Sequence, residues 1–134
     1  MGNEQSKPVF DVVIIQTSAS GNLRTREIIA GLGIVDRVCI LRNFSVSEIF
    51  EKLSTSRKQL FVTGTIRGSE NKAVELANLL KQRFPNLICV GYASETLPNP
   101  PFSECFVKDL SDLGRSAEDR FLQYIVDFLK DIDG

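Results

Sequence analysis

The residues of this chain best placed to do chemistry are small and neutral. Residues 11–22 read DVVIIQTSASGN, in which Val12, Val13, Ile14 and Ile15 are followed at once by Gln16, Thr17, Ser18 and Ser20, then Gly21 and Asn22. A second run, LFVTGT at 60–65, likewise ends in small residues, Gly64 and Thr65. Hydroxyls, side-chain amides and main-chain N–H groups can hold or orient a ligand. None of them is a strong general base or an anionic ligand for a hard cation.

The usual apparatus of catalysis is thin elsewhere too. The chain has no histidine, which removes the commonest general base and metal ligand. Asp109 and Asp112 follow the last strand-like run, where charged residues are expected to be solvated loop residues. Cys39, Cys89 and Cys105 each sit inside an apolar run, where a thiol behaves as a small buried hydrophobe. An odd number without close pairs points away from a disulfide framework or a zinc site and toward a reducing, cytoplasmic compartment. No strand end carries a nucleophile with its base or a pair of acids, so no metal site and no enzyme are expected.

The elements that must position these residues follow from periodicity. Val12 to Ile15 make a run too short for a buried helix and too continuous for a strand with one wet face, so it predicts a strand covered on both sides. Strands are expected at 9–17, 37–41, 60–65, 87–92 and 104–108. Between them, Leu23, Ile28, Ile29 and Leu32 recur at helical spacing, with Gly31 and Gly33 as the stop. Ser45 and Glu48 have the form of a capping box, ahead of a stripe of Val46, Ile49, Phe50 and Leu53. Ser69 is placed to cap a helix carrying Val74, Leu76, Ala77, Leu80 and Phe84, which Pro85 ends. Ser116 with Asp119 is expected to open a last helix that turns Phe121, Leu122, Ile125, Val126 and Leu129 inward. Pro98, Pro100 and Pro101 crowd residues 95–102, so the slot for a fourth helix reads as a proline-rich loop.

Five strands alternating with helices predict one α/β domain over residues 9–134, preceded by a polar, disordered tail at 1–8. Right-handed crossovers make it a doubly wound, three-layer domain with a five-stranded parallel sheet of order 2-1-3-4-5, the flavodoxin-like arrangement. In such sheets the working surface lies just beyond the carboxyl ends of the strands.

Composition narrows the partners. Sixteen Lys and Arg against 17 Asp and Glu, for a net charge of -1, give no basic face, so nucleic acid is excluded. No segment approaches the roughly 18 apolar residues of a spanning helix. The opening MGNEQS fits an N-terminal acylation pattern. We read the match as chance or as a cloning scar, and without acylation of Gly2 no membrane contact is expected.

The chain resembles the receiver domain of bacterial response regulators over nearly its whole length. The likeness lies in the element lengths, in LLKQRFPNLICV leading through a proline into the fourth strand, and in FVKDL at the end of the fifth. Carried over residue by residue, the family's magnesium-binding acidic pair falls on Gln16 and Thr17. Its phosphoacceptor aspartate falls on Gly64 or Thr65, its switching Ser/Thr within Tyr92, Ala93 and Ser94, and its lysine on Lys108. Of that pocket only the lysine survives, left to bond Thr17, Thr65 or a main-chain carbonyl, or to snorkel to water. Without hard anionic ligands and a nucleophilic carboxylate there is neither a Mg²⁺ site nor an acyl phosphate. The resemblance therefore implies a degenerate pseudo-receiver without a cofactor. Such a module acts by protein contact in a two-component-type pathway, with a sensor kinase or an output or regulatory protein as partner and pairing of two copies through the last helix as a further option.

A second, local resemblance is to flavodoxins. Ser18, Ser20, Gly21 and Asn22 are similar to their phosphate-binding loop, where hydroxyls and main-chain N–H groups cradle the FMN phosphate without a basic residue. The alternative it implies is a domain binding FMN or another phosphorylated ligand on that loop. The flavin's aromatic neighbours are then represented by Tyr92 alone, the TIRGSE loop offering Arg67 but no ring.

Overall fold

The computed structural model describes residues 9–66 and 69–134. The expected tail at 1–8, with Gly2, and the loop residue Arg67 lie outside the described residues.

Each of the five strands contains one of the apolar runs the sequence marks, and each run is buried in proportion to its continuity. β1 (Val12–Ile15) and β3 (Gln59–Thr63) are buried at every residue. β4 (Leu87–Ala93) is buried at all but Ile88, while β2 (Val38–Leu41) alternates. β5 (Glu104–Val107) is the most open. All pair in parallel in the order β2-β1-β3-β4-β5, with Val12 opposite Val38 and Leu60, Leu60 opposite Ile88, and Val90 opposite Glu104. The domain is thus an α/β, flavodoxin-like doubly wound sheet of the expected order. The most continuous apolar strands take the centre because only there are both faces covered.

The helices divide between the faces. α1 (Ala19–Leu32) and α4 (Arg115–Asp133) cover the face that carries Val12, Ile14, Leu60, Val62 and Val90. α2 (Val46–Lys52) and α3 (Glu70–Arg83) cover the face of Val13, Ile15, Phe61 and Cys89. No helix joins β4 to β5. Instead, Leu97 and Phe102 of the proline-rich loop fold down beside α3, 2% and 1% exposed. Burying two such side chains is worth roughly 1.5–3 kcal/mol each, so the loop does a helix's covering work. Gly91 makes room for it, since a Cβ there would lie 2.8 Å from Cys105 Sγ and 3.0 Å from Leu97 Cδ1.

Several local expectations are corrected. α1 starts at Ala19 and turns Asn22, Thr25 and Ile29 inward, leaving Leu23 and Leu32 exposed. Its cap sets this register: Ser18 Oγ accepts from Gly21 N at 3.0 Å, and the buried polar face ties the helix to the end of β1. Val46 is likewise exposed. Ser45 and Ser69 do cap α2 and α3. Ser116 does not cap α4, whose N-cap is Gly114; the Asp112 carboxylate accepts from Gly114 N and Ser116 N at 2.9 and 3.2 Å. Asp109 accepts from Ser111 N and Oγ. Both aspartates are capping groups rather than merely solvated ones. Of the cysteines only Cys89 is fully buried, and burial pushes its thiol up to about 12; Cys39 and Cys105 are half-buried, and all three are free.

At the amino ends of the strands an ion-pair cluster locks the chain's last turn to its first strand. Asp11 takes Arg37 Nε at 2.8 Å and also Arg57. Arg37 continues as a fork to Asp133 at 2.8 and 2.7 Å, and Lys58 reaches Asp131 at 3.1 Å.

Candidate functional site

At the opposite edge the carboxyl ends of β1, β3, β4 and β5 surround a cavity of about 170 Å³. Gln16, Thr17 and Ser18 leave β1, Gly64 and Thr65 leave β3, Tyr92 and Ala93 end β4 with Ser94 beyond, and Lys108 follows β5. Every residue carried over from the receiver pocket therefore borders one space, which is what a parallel sheet does to strand-end residues far apart in sequence. Lys108 bears the only formal charge among the described lining residues.

Lys108 is corrected in its partner. Its main chain continues the ladder, donating to Ala93 O at 2.8 Å. Among the described residues its side chain reaches neither Thr17, Thr65 nor a carbonyl: Nζ stands 4.5 Å from the centroid of the Tyr92 ring. A half-buried ammonium that makes no salt bridge among the described residues finds negative potential on the ring face. Burial holds the Lys108 pKa below the ordinary 10.5, with Glu118 acting in the opposite direction. Tyr92 itself is pushed up to about 12, first by burial, then by Glu118, with Arg24 opposing.

The other face of Tyr92 is covered. Phe121 stacks on it with centroids 4.4 Å apart and planes 11° from parallel, and Phe106 packs beyond. Phe121 lies on one side of the Tyr92 ring and the Lys108 ammonium over the other. Above the stack, Arg24 of α1 forks onto Glu118 of α4 at 3.1 and 2.9 Å. This pair stands on a second hollow of about 400 Å³ that shares Gln16, Tyr92 and Lys108 with the first.

The loop after β1 is spoken for by structure. Asn22 is buried and donates to Gln16 O at 3.1 Å, while its Oδ1 accepts from Arg26 Nε at 2.6 Å. Arg26 passes on to Ile40 O at 2.8 Å, joining α1 to β2. Gln16 donates to Thr25 Oγ1 at 3.2 Å. Ser18 is the α1 cap, while Ser20 and Gly21 border the larger hollow. Of the proposed phosphate loop, Ser18 and Asn22 thus hold the turn together.

At Gly64 the backbone leaves no room for a side chain without movement of its neighbours. A Cβ there would lie 2.9 Å from the main-chain oxygen of Tyr92, closer than real Cβ atoms come to backbone. The β3–β4 crossing is packed for a hydrogen. Any side chain at 64, a carboxylate included, forces two central strands apart.

Some site residues escape sequence reading. Phe121 lies in the last helix's apolar stripe and reads as ordinary core; nothing local marks it as the floor under Tyr92. The Arg24–Glu118 pair spans the chain from α1 to α4 and has no local signal either. Leu113 does leave one: it precedes a glycine in a loop and adopts φ 58, a left-handed conformation uncommon for a bulky residue.

Fold and site together define a class: a flavodoxin-like doubly wound domain whose strand-end cleft is neutral apart from one lysine. Comparison of the chain with protein-family models, with curated proteins and with solved structures finds no match. Among the described residues no helix is long and apolar enough to cross a membrane, and no group of three or more His, Cys, Asp or Glu is placed to hold a metal ion.

Proposed function

We propose that this chain is a receiver-like module that takes no phosphoryl group and works by protein contact in a regulatory pathway. The observation that carries the reading is the strand-end cavity, where Gln16, Thr17, Gly64 and Thr65 stand in place of carboxylates and Lys108 rests on Tyr92. Phosphoryl transfer to a protein carboxylate needs a nucleophilic acid and a divalent cation to spread the charge. Here the chemistry has neither, and the lysine is folded into the core stack.

The rim supports contact as the output. Leu110 and Leu113, on the turn between β5 and α4, are 86% and 79% exposed beside Lys108 and Gly114. Leu113 keeps its left-handed backbone while presenting that side chain to solvent, and a bulky residue held in such a conformation is a feature that clusters at functional sites.

The test has two arms. Incubation with acetyl phosphate, or with beryllofluoride and Mg²⁺, should add no mass and shift no NMR resonance around Thr65; specific Mg²⁺-dependent uptake defeats the proposal. In the native host, a partner cross-linked to the wild-type domain should be lost with Leu110→Asp/Leu113→Asp while the variant keeps its melting temperature. Undiminished capture by that variant moves the contact surface elsewhere.

A further inference from the structure

A third cavity, independent of the Lys108 cleft in its charged groups, lies on the other side of Ser18. It measures about 480 Å³ and opens between the β1–α1 turn, the β2–α2 loop and the first turn of α3. Its polar wall is Thr17, Ser18, Arg42, Asn43 and Lys72, with no acid among the described lining residues. Phe44 and Ile66 make the rest of it. These two, with Lys72, also border an apolar hollow of about 290 Å³ that continues over Val46, Leu76 and Leu79. The one acid there, Glu75, belongs to the apolar hollow and not to the polar one.

The charges of the polar half are unspent. Arg24, Arg37, Arg57 and Lys58 each hold a carboxylate elsewhere in the molecule. Arg42 uses only Nε, on Thr17 O at 3.4 Å, and neither its terminal nitrogens nor Lys72 Nζ has a carboxylate partner among the described residues. Ser18 Oγ accepts from Gly21 N and keeps its own proton to donate. Two cations, free hydroxyls and an apolar floor at the carboxyl end of a central strand suit a small ligand with an oxyanion at one end and a flat apolar body at the other.

We propose that this cleft binds a phosphate monoester of an apolar ring compound, with the phosphate between Arg42, Lys72 and the hydroxyls of Thr17 and Ser18 and the ring over Phe44 and Ile66. Binding is non-covalent and independent of Mg²⁺, so it stands or falls separately from the contact module above.

The experiment is an NMR titration of the ¹⁵N-labelled chain, in EDTA, with 1-naphthyl phosphate, inorganic phosphate and 1-naphthol. The ester should give saturable shifts at Thr17, Ser18, Phe44 and Ile66 and bind more tightly than either fragment. Arg42→Gln/Lys72→Gln should weaken it by about tenfold or more, the scale of one charge-assisted hydrogen bond. Arg120→Gln/Lys130→Gln, which removes two exposed cations from α4, should leave the affinity unchanged. The proposal is overturned by absence of saturable shifts at those residues, by undiminished binding in the first double variant, or by inorganic phosphate binding as tightly as the ester. Unchanged dispersion of the amide spectrum in both double variants separates loss of binding from loss of fold.

Discussion

At the amino ends of the strands Asp11 sits between Arg37 and Arg57, with Asp133 forked onto the same Arg37; at the carboxyl ends, one turn of chemistry away along β1, Gln16 and Thr17 face a cavity whose single cation lies on an aromatic ring. Both ends are half-buried and both gather residues from distant parts of the chain. One end answers each buried charge with an opposite charge. The other removes the carboxylates and leaves the lysine to a quadrupole. A buried carboxylate demands partners or pays in desolvation, and this chain supplies them where the last helix meets the start of β1. Where a receiver would keep its acids, it has neutral residues and exposed leucines. The difference separates an end held by ion pairs from an end whose cavity is neutral apart from one lysine.

The largest expected effect comes from breaking the charged end. Asp11→Ala leaves two guanidinium groups facing an empty place. A fully buried pair broken this way costs roughly 3–5 kcal/mol, but the Arg57 side chain is 44% exposed, so about 2 kcal/mol is expected from urea unfolding. A loss under half that would make the two ends energetically alike.

Next is an attempt to give the neutral end its acid. Gly64→Asp must push past the Tyr92 carbonyl and should lower stability by about 1–2 kcal/mol, in the range of overpacked sites. Thr65→Asp meets no such block, as Thr65 is half-buried at the cavity wall. It should fold normally and raise the pKa of Lys108, read by NMR of the ¹³C-labelled side chain. Equal stability of the two variants contradicts the account of Gly64.

Smaller still is the alkaline dependence of Lys108. Its folded pKa lies below 10.5, so the unfolded chain holds that proton more tightly and stability should rise as pH climbs through the folded value toward 10.5. With the side chain half-buried, the gain is a few tenths of a kcal/mol. Lys108→Met should abolish that rise in a pH series of melts.

The finest effect is at the rim of the charged end. Hydrogen bonding from Arg37 holds the Asp133 carboxyl below its ordinary 3.8, so the clamp is present above that value and lost as pH falls through the depressed one. Arg37→Met should return the Asp133 titration, followed by its side-chain ¹³C signal, to the ordinary range. An unmoved midpoint would mean that the fork does not persist in solution.

Much of this was legible before any coordinates. Unbroken apolar runs at Val12–Ile15 and around Phe61 predict central strands because only buried strands can dispense with a polar face, and three prolines in eight residues rule out a helix between β4 and β5. The strand-end location of Gln16, Thr17, Gly64, Thr65 and Lys108 follows from the same reading. What misled was counting apolar residues on α1: Leu23 and Leu32 point to solvent, while Asn22 and Thr25 point in. There hydrogen bonds to Gln16 outweigh the burial of a leucine, and no one-dimensional periodicity carries that information. The cap of α4 differs from the local pattern for a related reason, since Asp112 acts from three residues before the helix.

Strand order and the lack of carboxylates at the strand ends follow from the order of residues alone, because hydrophobic continuity and residue type are properties of the chain. Packing alone places Lys108 on Tyr92 with Phe121 beneath, makes any side chain at Gly64 push on the Tyr92 carbonyl, and leaves Arg42 and Lys72 without a carboxylate partner among the described residues. Each of those depends on which atoms meet across elements far apart along the chain, and contact of that kind is settled by packing in three dimensions.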